Sequence, residues 1–239
     1  MRTRKRVDSI GFVLTVVKRL RYVKEYYTYE QLERITGLSK STLCRYIKGE
    51  ILPSLETAKK IFSKIREFVD VKRIVGERVR IVNGNVVDVS NLISDPLVLD
   101  IVADEFKSRF SSEKITKLLT VEAGGVPLAT AIALKYSYKL VVAKRYKDPA
   151  TSSCYVENYH STSPYTTVAL YVAKNKLKRK DKVVIVTDVI RTGRTVEALS
   201  RIVRRAGADL LGTFSIVLLE NDNMKAALED LRVEPILVL

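Results

Sequence analysis

One short segment of the 239-residue chain combines residue types that can bind a phosphate group. Residues 187–195 read Thr-Asp-Val-Ile-Arg-Thr-Gly-Arg-Thr and lie between an apolar run at 183–186 and a helix-forming stretch. Backbone N–H groups and hydroxyls at the start of a helix can surround a phosphate at the positive end of the helix dipole. Asp188 can accept hydrogen bonds from sugar hydroxyls. The segment therefore predicts a sugar-phosphate site whose phosphate cradle is Thr192, Gly193, Arg194 and Thr195.

The residues around this segment alternate between predicted helices and strands, which is the pattern of an α/β domain with a mainly parallel sheet. Ligands of such sheets bind at the carboxyl ends of the strands, where Asp188 and the cradle fall. The predicted helices are 96–110, 126–136 and 195–206. The predicted strands are 117–122, 139–144, 183–186 and 214–219.

Residues 183–195 resemble the signature of the type I phosphoribosyltransferases. That signature is an apolar strand, two acidic positions, two apolar residues, a variable residue and Thr-Gly-x-Thr. The resemblance covers roughly residues 96–239. It implies binding of phosphoribosyl pyrophosphate (PRPP), with the acidic positions at the ribose hydroxyls and the Thr-Gly-x-Thr loop at the 5′-phosphate. The PRPP-binding residues that it implies here are Thr187, Asp188, Val189, Ile190, Arg191, Thr192, Gly193, Arg194 and Thr195.

Two further segments support this resemblance at a distance. Residues 122–129 look like the family's pyrophosphate loop, and residues 148–163 occupy the place of its mobile active-site loop. Small residues in the pyrophosphate loop would let the backbone approach the diphosphate, and basic residues after the next strand would neutralise it. These implied residues are Ala123, Gly124 and Gly125, with Lys144, Arg145 and Lys147. No residue is assigned to a metal, and it stays open whether Mg²⁺ accompanies PRPP.

Two positions depart from the family's pattern. Thr187 stands at the first acidic position, so it lacks the charge that would stabilise an electron-poor ribose in the transition state. Arg191 stands where purine-salvage members carry a carboxylate, and an arginine cannot act as a base. Losing one such preorganised charge raises the activation free energy by about 3 kcal/mol. The departures favour a domain that binds PRPP without turning it over.

The first seventy residues predict a set of short helices. We expect a helix behind the basic N-terminal arm, with Asp8 or Ser9 as its N-cap. Its apolar positions have the spacing of one buried face and are Ile10, Val13, Leu14, Val17 and Leu20. Thr28 and Gln31 have the spacing of a capping box that opens the next helix, and Gly37 is suited to end it.

The next predicted helix has a polar face that can contact DNA. Ser39 can cap it, Leu43 and Ile47 point inward, and Gly49 ends it. Two short helices joined by a glycine turn have the helix-turn-helix layout, and residues 32–54 resemble the phage-repressor family of that motif. The predicted DNA-contacting residues are Gln31, Ser39, Lys40, Ser41, Thr42 and Arg45. The alternative interpretation is a helical bundle with a solvated basic face.

The distribution of charge agrees with a polyanion-binding N-terminal part. The chain has a formal net charge of +15 from 42 basic and 27 acidic residues, and residues 1–80 contain 20 of the basic and 9 of the acidic ones. Two cysteines and one histidine exclude a disulfide framework, a four-ligand zinc site and a multi-histidine metal centre. Apolar runs are shorter than a membrane span, and the basic start has no small-residue cleavage site, so we expect a cytoplasmic protein.

The expected organisation is therefore a helix-turn-helix domain over 1–70, a hairpin or linker over 71–95 and a phosphoribosyltransferase-like α/β domain over 96–239. Alternation around Asn83-Gly84-Asn85 predicts a β-hairpin within 78–89, either a wing that touches DNA or a spacer. Since phosphoribosyltransferase domains generally pair, we expect a homodimer on a two-fold DNA operator.

Three functional hypotheses follow from this organisation. The first is a transcriptional regulator of nucleotide or related sugar metabolism that senses PRPP. The second is an active purine or pyrimidine phosphoribosyltransferase with an accessory DNA-binding domain. The third keeps DNA binding but assigns the pocket to a nucleotide such as a purine monophosphate.

Overall fold

The computed structural model describes residues 2–82, 86–162, 165–220, 224, 228 and 230–239. The chain divides into two compact units, Met1–Asp70 and Val71–Leu239. The first unit is helical, and its elements are α1 (Arg2–Val23), α2 (Tyr29–Thr36), α3 (Lys40–Lys48) and α4 (Leu55–Phe68). Its core contains fully buried leucine and isoleucine side chains from all four helices, namely Leu20, Leu32, Leu43, Ile61 and Ile65.

Helix α1 differs from the sequence prediction at its start and in its buried face. The helix begins at Arg2, so neither Asp8 nor Ser9 caps it. Val13, Val17 and Leu20 are buried as predicted, but Ile10 and Leu14 are exposed, and Val16 and Val23 are buried as well. Since α1 packs against α3 and α4, these contacts decide which residues at the edges of the predicted face are covered.

The predicted caps of α2 and α3 are confirmed. The Thr28 hydroxyl accepts a hydrogen bond from the Gln31 N–H at 3.2 Å, and the Gln31 side chain accepts one from the Thr28 N–H at 2.7 Å. Ser39 caps α3 by accepting from the Thr42 N–H. Gly37 follows α2 in the left-handed conformation, with φ of 73°, which a residue with a side chain adopts at a cost. These caps set the turn between the two helices.

The second unit is an α/β domain. In chain order its elements are α5 (Val71–Gly76), β1 (Arg80–Val82), β2 (Val86–Asp88), α6 (Ser90–Ile93), α7 (Pro96–Arg109), β3 (Lys117–Val121), α8 (Gly125–Tyr136), β4 (Lys139–Ala143), β5 (Cys154–Thr162), β6 (Tyr165–Ala173), a short 3₁₀ turn (Lys174–Lys176), β7 (Lys182–Ile190), α9 (Arg194–Arg205), β8 (Asp209–Leu218) and β9 (Val233–Val238). Strands β1 and β2 pair in antiparallel fashion as predicted, and the turn at 83–85 lies outside the described residues.

A five-stranded sheet of order β4-β3-β7-β8-β9 forms the centre of this unit, and every neighbouring pair in it is parallel. Strand β7 lies in the middle, and residues 183–186 are completely buried because helices cover both faces of a parallel sheet. The predicted fold class is therefore confirmed. Strand β9 is an element that the sequence analysis did not predict.

Two segments near the predicted site are more regular than the sequence suggested. Strand β7 does not end at Val186 but continues to Ile190, since its pairing with β8 extends that far. The segment 148–163, expected to be a loop, contributes β5, which pairs with β6 as a long antiparallel hairpin. Tyr155 and Tyr159 of β5 pack against the domain core, and this burial favours a strand over an open loop.

The α/β unit contains a buried ion pair between Lys117 and Asp181. The Lys117 Nζ lies 2.7 Å from the Asp181 carboxylate, and the two side chains are 10% and 13% exposed. Burial by itself would raise the pKa of Asp181, but hydrogen bonds from Lys117 and from the Lys178 N–H outweigh it and hold that pKa below its ordinary value. The carboxylate is thus ionised in the folded state at a pH where it is partly protonated in the unfolded chain.

We expect acid to destabilise this unit. A carboxylate with a lowered folded pKa contributes stability above its unfolded pKa of about 4, and this contribution is lost as the pH falls through the folded pKa. Urea unfolding followed by circular dichroism between about pH 6 and pH 3 should show a free energy of unfolding that declines with pH, and Asp181→Asn should reduce the decline. Asp209→Asn, at an exposed position, is the control. A decline of equal size in Asp181→Asn would contradict the prediction.

Candidate ligand pocket and nucleic-acid interface

A cavity of about 390 Å³ lies at the carboxyl ends of β3 and β7. Three parts of the second unit line it: the loop after β3, the end of β7 with the turn that follows, and the β5–β6 hairpin. The lining residues include Glu122, Ala123, Gly124 and Gly125 from the first part, Thr187, Asp188, Val189, Ile190, Arg191, Thr192, Gly193 and Thr195 from the second, and Tyr159, Ser161, Thr166 and Val168 from the third.

The loop after β3 approaches the end of β7 so closely that only glycine fits. A Cβ atom on Gly124 would overlap the Asp188 carboxylate, and one on Gly125 would overlap the Thr120 hydroxyl. The missing side chains leave room for Asp188 beside the backbone of this loop, and the Glu122–Ala123 peptide bond is cis. The structure thus places a carboxylate and the backbone of this glycine loop on one side of the cavity.

The turn between β7 and α9 has the geometry of an anion-binding nest. Gly193 precedes α9 with φ of 72°, and no side chain caps the helix. The first-turn N–H groups of a helix have no intrahelical partner, so they are available for an anion. Thr192, Gly193 and Thr195 line the cavity beside this helix end. The nest and Asp188 therefore face the same cavity.

In the first unit, α3 presents a polar, exposed face at its N-terminal end. Lys40 forms an ion pair with Glu30 at 2.6 Å, and Arg45 lies 3.8 Å from Glu50. Ser41 is exposed, and Thr42 is half-buried, with its hydroxyl 2.9 Å from that of the cap residue Ser39. The Gln31 side chain is exposed, and its carbonyl oxygen is occupied in the capping box. The arrangement leaves Lys40, Ser41 and Arg45 at the surface of α3.

Comparison with known proteins identifies both units. The helix-turn-helix family model matches residues 17–66, and the family model described as the phosphoribosyl transferase domain matches residues 88–232. The chain belongs to the phosphoribosyl transferase domain family. It joins this phosphoribosyltransferase domain to an N-terminal helix-turn-helix, as the sequence analysis predicted.

Relatives with curated names are similar to the phosphoribosyltransferase domain. The xanthine phosphoribosyltransferase of Lacticaseibacillus casei is 32% identical over 142 residues, which cover 58% of this chain and 74% of that protein. The xanthine phosphoribosyltransferase of Bacillus thuringiensis is 28% identical over 137 residues, 56% of this chain and 70% of that protein.

Solved structures of adenine phosphoribosyltransferases share the fold. The enzyme from Rhodothermus marinus matches with a TM-score of 0.62 at 22% identity, covering 71% of this chain and 98% of that one. The enzyme from Thermoanaerobacter pseudethanolicus matches with a TM-score of 0.63 at 17% identity, covering 70% of this chain and 99% of that one.

The three basic residues predicted for the phosphoribosyltransferase diphosphate site lie in different surroundings. Arg145 lines the cavity, and its backbone N–H donates a hydrogen bond to the Glu122 carboxylate at 2.7 Å. Lys144 instead donates to Asp148 at 2.6 Å, which raises the pKa of Lys144, and it lines a separate cavity of about 260 Å³. Lys147 is exposed and is not among the residues that line the large cavity. Of these three residues, only Arg145 therefore lines the cavity that contains Asp188.

Arg194, predicted for the phosphate cradle of the phosphoribosyltransferase domain, points toward the hairpin. Its Nη1 donates to the His160 carbonyl oxygen at 2.7 Å, and its side chain is not part of the cavity lining. The sequence analysis included Tyr159 and Ser161 in the expected active-site loop but did not assign them to the site, and it missed Thr166 and Val168. Tyr159 pairs with Val168 and Ser161 pairs with Thr166 on facing strands, so the alternation of side chains along the two strands directs all four toward the cavity.

Within the part of the chain that the structure describes, no group of three or more His, Cys, Asp or Glu side chains could hold a metal ion. Among the same residues, every helix is too short or too polar to cross a bilayer.

Proposed function

We propose that this protein is a DNA-binding transcriptional regulator whose phosphoribosyltransferase domain senses PRPP without turning it over. The observation that carries the proposal is that Asp188, the glycine loop at 124–125 and the nest at 192–195 face one cavity. A carboxylate can accept hydrogen bonds from ribose hydroxyls. Backbone N–H groups and Arg145 can donate hydrogen bonds to phosphate groups. These groups support ground-state binding of a sugar carrying a phosphate and a diphosphate.

The absence of turnover is supported by the two departures from the family pattern. The Thr187 hydroxyl donates to the Asp188 carboxylate at 3.2 Å, so it orients that group but adds no negative charge beside the ribose. Arg191 lines the cavity, and an arginine cannot take up the proton of a purine or pyrimidine as the family's carboxylate would. We infer that the pocket lost catalysis and kept binding.

A Mg²⁺ ion is compatible with this pocket if the ligand supplies most of its coordination. Mg²⁺ usually binds through one or two carboxylates together with substrate phosphates. Asp188 offers such a carboxylate beside the nest. When bound, the ion would neutralise part of the charge on the diphosphate.

For the regulator as a whole, we propose a cytoplasmic homodimer that presents two copies of α3 to an operator in double-stranded DNA. Half-sites would lie about one duplex turn apart, or a multiple of it. The genes it controls would belong to nucleotide or related sugar metabolism. By linkage, PRPP must change the affinity for DNA by the same factor as DNA changes the affinity for PRPP.

Isothermal titration calorimetry tests which ligand the pocket binds. The full chain is titrated with PRPP and with purine monophosphates, each with and without Mg²⁺. We expect PRPP to bind more tightly than any nucleotide, and Asp188→Asn combined with Thr195→Ala to abolish that binding while DNA binding is kept. Preference for a nucleotide, or unchanged PRPP binding in the double variant, would contradict the assignment.

The second candidate is an active transferase, and it is favoured by the 32% identity to a xanthine phosphoribosyltransferase. Incubation with PRPP and xanthine, adenine, guanine, hypoxanthine, uracil or orotate distinguishes the two. Formation of nucleotide and pyrophosphate at ordinary enzyme rates, on the order of 1 s⁻¹ or more, would show that the protein is an active transferase and would contradict the sensor hypothesis.

A further inference from the structure

The loop that leads into β7 carries a run of positive charge that the ligand cavity does not use. Residues 174–182 contain six basic residues and one acid. The side chains of Lys178, Arg179 and Lys180, here called the basic turn, are exposed. This turn lies before the amino end of β7, whereas the nest follows the carboxyl end. Since a strand rises about 3.3 Å per residue, the nine residues of β7 hold the two about 26 Å apart.

The acid of this run is turned into the domain. Lys117 of β3 binds the Asp181 carboxylate at 2.7 Å, and the Lys178 backbone N–H donates to the same carboxylate at 2.6 Å. The Asp181 N–H donates to the Lys178 carbonyl oxygen at 2.9 Å, which closes a turn over residues 178–181. Because Lys117 already neutralises this carboxylate inside the domain, Asp181 is not available to balance the charges of the basic turn.

The backbone on both sides of the basic turn is attached to the domain. Leu177, directly before the turn, is 2% exposed and belongs to the domain core. After the turn, the Lys182 N–H donates to the Thr116 hydroxyl at 2.9 Å. The Arg179 Cγ lies 3.3 Å from the point that a Cβ atom on Gly207 would occupy, so this side chain passes close to the backbone that follows α9. The turn is thus ordered before a partner binds, which lowers the entropy cost of binding.

The cations of the basic turn are not balanced by acids in the described part of the chain. None of the three forms an ion pair with a described carboxylate. Arg204, whose carbonyl oxygen accepts from the Gly207 N–H at 2.9 Å, adds a fourth exposed cation, and Asp209 adds one exposed carboxylate. Like charges grouped on a surface repel one another, so this group does not stabilise the folded domain by itself. A polyanion would replace this repulsion with attraction.

The surroundings of the basic turn favour duplex DNA among the polyanions. Bases of a single strand stack on aromatic side chains, but the Tyr155 ring beside this run is half-buried, and the Lys174 Nζ lies 5.6 Å from its centroid. Binding to a membrane surface uses exposed apolar side chains, but Leu177, the apolar residue of the run, is buried. Duplex phosphates require only accessible cations. A helix-turn-helix in the same chain makes duplex DNA the polyanion that this surface would meet.

We propose that the basic turn is a second DNA-binding surface, which contacts the phosphates of a duplex without reading its sequence. The inference does not depend on PRPP, and it rests only on the part of the proposed function in which the protein binds double-stranded DNA. Because phosphates are the same in every sequence, this surface adds affinity that all duplexes share, while α3 discriminates between sequences. It also makes the affinity for DNA fall more steeply with salt than the contacts of α3 alone would do.

Neutralising the basic turn tests this directly. Fluorescence anisotropy compares the full chain with its variant Lys178→Gln, Arg179→Gln, Lys180→Gln at several salt concentrations. The two probes are the duplex that the wild type selects from a random pool and a scrambled duplex of the same length. The slope of log affinity against log salt should become shallower by about 2 to 3, since each phosphate contact contributes about 0.9. At about 0.1 M salt, the affinity for both duplexes should fall by the same factor, about 10- to 100-fold.

Two control variants separate the position of the charge from its amount and its chemistry. The first exchanges lysine for arginine and arginine for lysine at the same three positions, and it should bind both duplexes like the wild type. The second removes three exposed lysines of α4, as Lys59→Gln, Lys60→Gln and Lys64→Gln. It should change the slope less, because Glu56 and Glu67 already pair with two of these lysines, at 3.3 and 3.9 Å.

Each outcome of these measurements decides the inference. An unchanged slope in the variant of the basic turn, with normal DNA binding by the wild type, would overturn it and leave the proposed function standing. Equal changes in the two glutamine variants, or a loss confined to the selected duplex, would also overturn it. Unchanged affinity for DNA with lost affinity for polyglutamate would make the partner an acidic protein instead.

Two further results concern the protein itself. If the wild type binds neither duplex, the inference and the DNA-binding part of the proposed function both fall. Circular dichroism checks that the triple variant is folded. If it is not, Lys180→Gln alone should still make the slope shallower by about 0.9, and an unchanged slope in this single variant would overturn the inference.

Discussion

Gly125→Ala is expected to lower both the stability of the phosphoribosyltransferase domain and its affinity for PRPP. The added Cβ would overlap the Thr120 hydroxyl and lie 3.1 Å from the Val186 carbonyl oxygen and 3.2 Å from the Thr187 Cα. The first is a side chain, but the other two are backbone atoms of the central strand β7, which cannot move without breaking its pairing. The start of α8 must therefore shift away from the sheet.

Overpacking of this kind costs about 1–3 kcal/mol. For a domain of this size we expect the midpoint of thermal unfolding to fall by about 2–10 °C. Displacing the loop from its place beside Asp188 should weaken PRPP binding by on the order of tenfold or more, since ligand-positioning groups tolerate shifts of less than 1 Å. Differential scanning calorimetry and titration calorimetry measure the two effects.

Two variants serve as controls for this prediction. Gly11→Ala adds a Cβ to α1 with no heavy atom of the described structure within 4 Å, so it should leave stability unchanged or raise it slightly. Thr120→Ala combined with Gly125→Ala removes the closest obstacle and should recover part of the loss, because the Thr120 hydroxyl is buried and has no hydrogen-bond partner among the described residues. A Gly125→Ala protein with wild-type stability and affinity would show that this close approach does not matter.

Arg45→Ala is expected to weaken operator binding and to leave PRPP binding intact. Arg45 is exposed on the polar face of α3, and its nearest ion pair, with Glu50 at 3.8 Å, leaves the guanidinium free to turn toward a base edge or a phosphate. One such contact to a base is worth about 1–3 kcal/mol, which corresponds to a loss of about 5- to 150-fold in affinity. Fluorescence anisotropy on a duplex that the wild type selects from a random pool measures this loss at fixed salt concentration.

The matched control removes the same charge from a different helix. Arg66 is exposed at the end of α4, so Arg66→Ala tests the contribution of net charge alone and should cost less than Arg45→Ala. Equal losses in the two variants would mean that α3 does not recognise DNA. Loss of PRPP binding in Arg45→Ala together with loss of DNA binding would mean that the assignment of the two functions to separate domains is wrong.

The sequence was sufficient wherever a structural rule acts over a few residues. The capping box of Thr28 and Gln31 depends on groups three positions apart, and the structure has both of its hydrogen bonds. The end of α2 at Gly37, which adopts the left-handed conformation, is local in the same way. The alternation of helices and strands predicted the parallel sheet, because a strand followed by a helix and a parallel strand is itself a short-range pattern.

The sequence was insufficient where a side chain had a choice of partners. Lys144 has the right place in the chain for a diphosphate ligand, but the acid four residues later, Asp148, engages it. In α1, the regular spacing suggested that Ile10 and Leu14 belong to the buried face, but packing against α3 and α4 leaves these two side chains exposed. In both cases the sequence allows the side chain several different contacts. Which contact forms depends on how the rest of the domain packs.

What the sequence by itself determined is the pair of domains and the chemistry each can carry: a capped helix with a polar face, and a glycine-containing nest beside a carboxylate. What the tertiary structure decided is which other groups share the cavity, above all Tyr159, which meets Thr195 across 36 positions of the chain. The physical reason is that caps and turns are stabilised by bonds within one turn of backbone. The walls of a cavity are instead brought together by the burial of apolar surface, which has no preferred separation along the sequence.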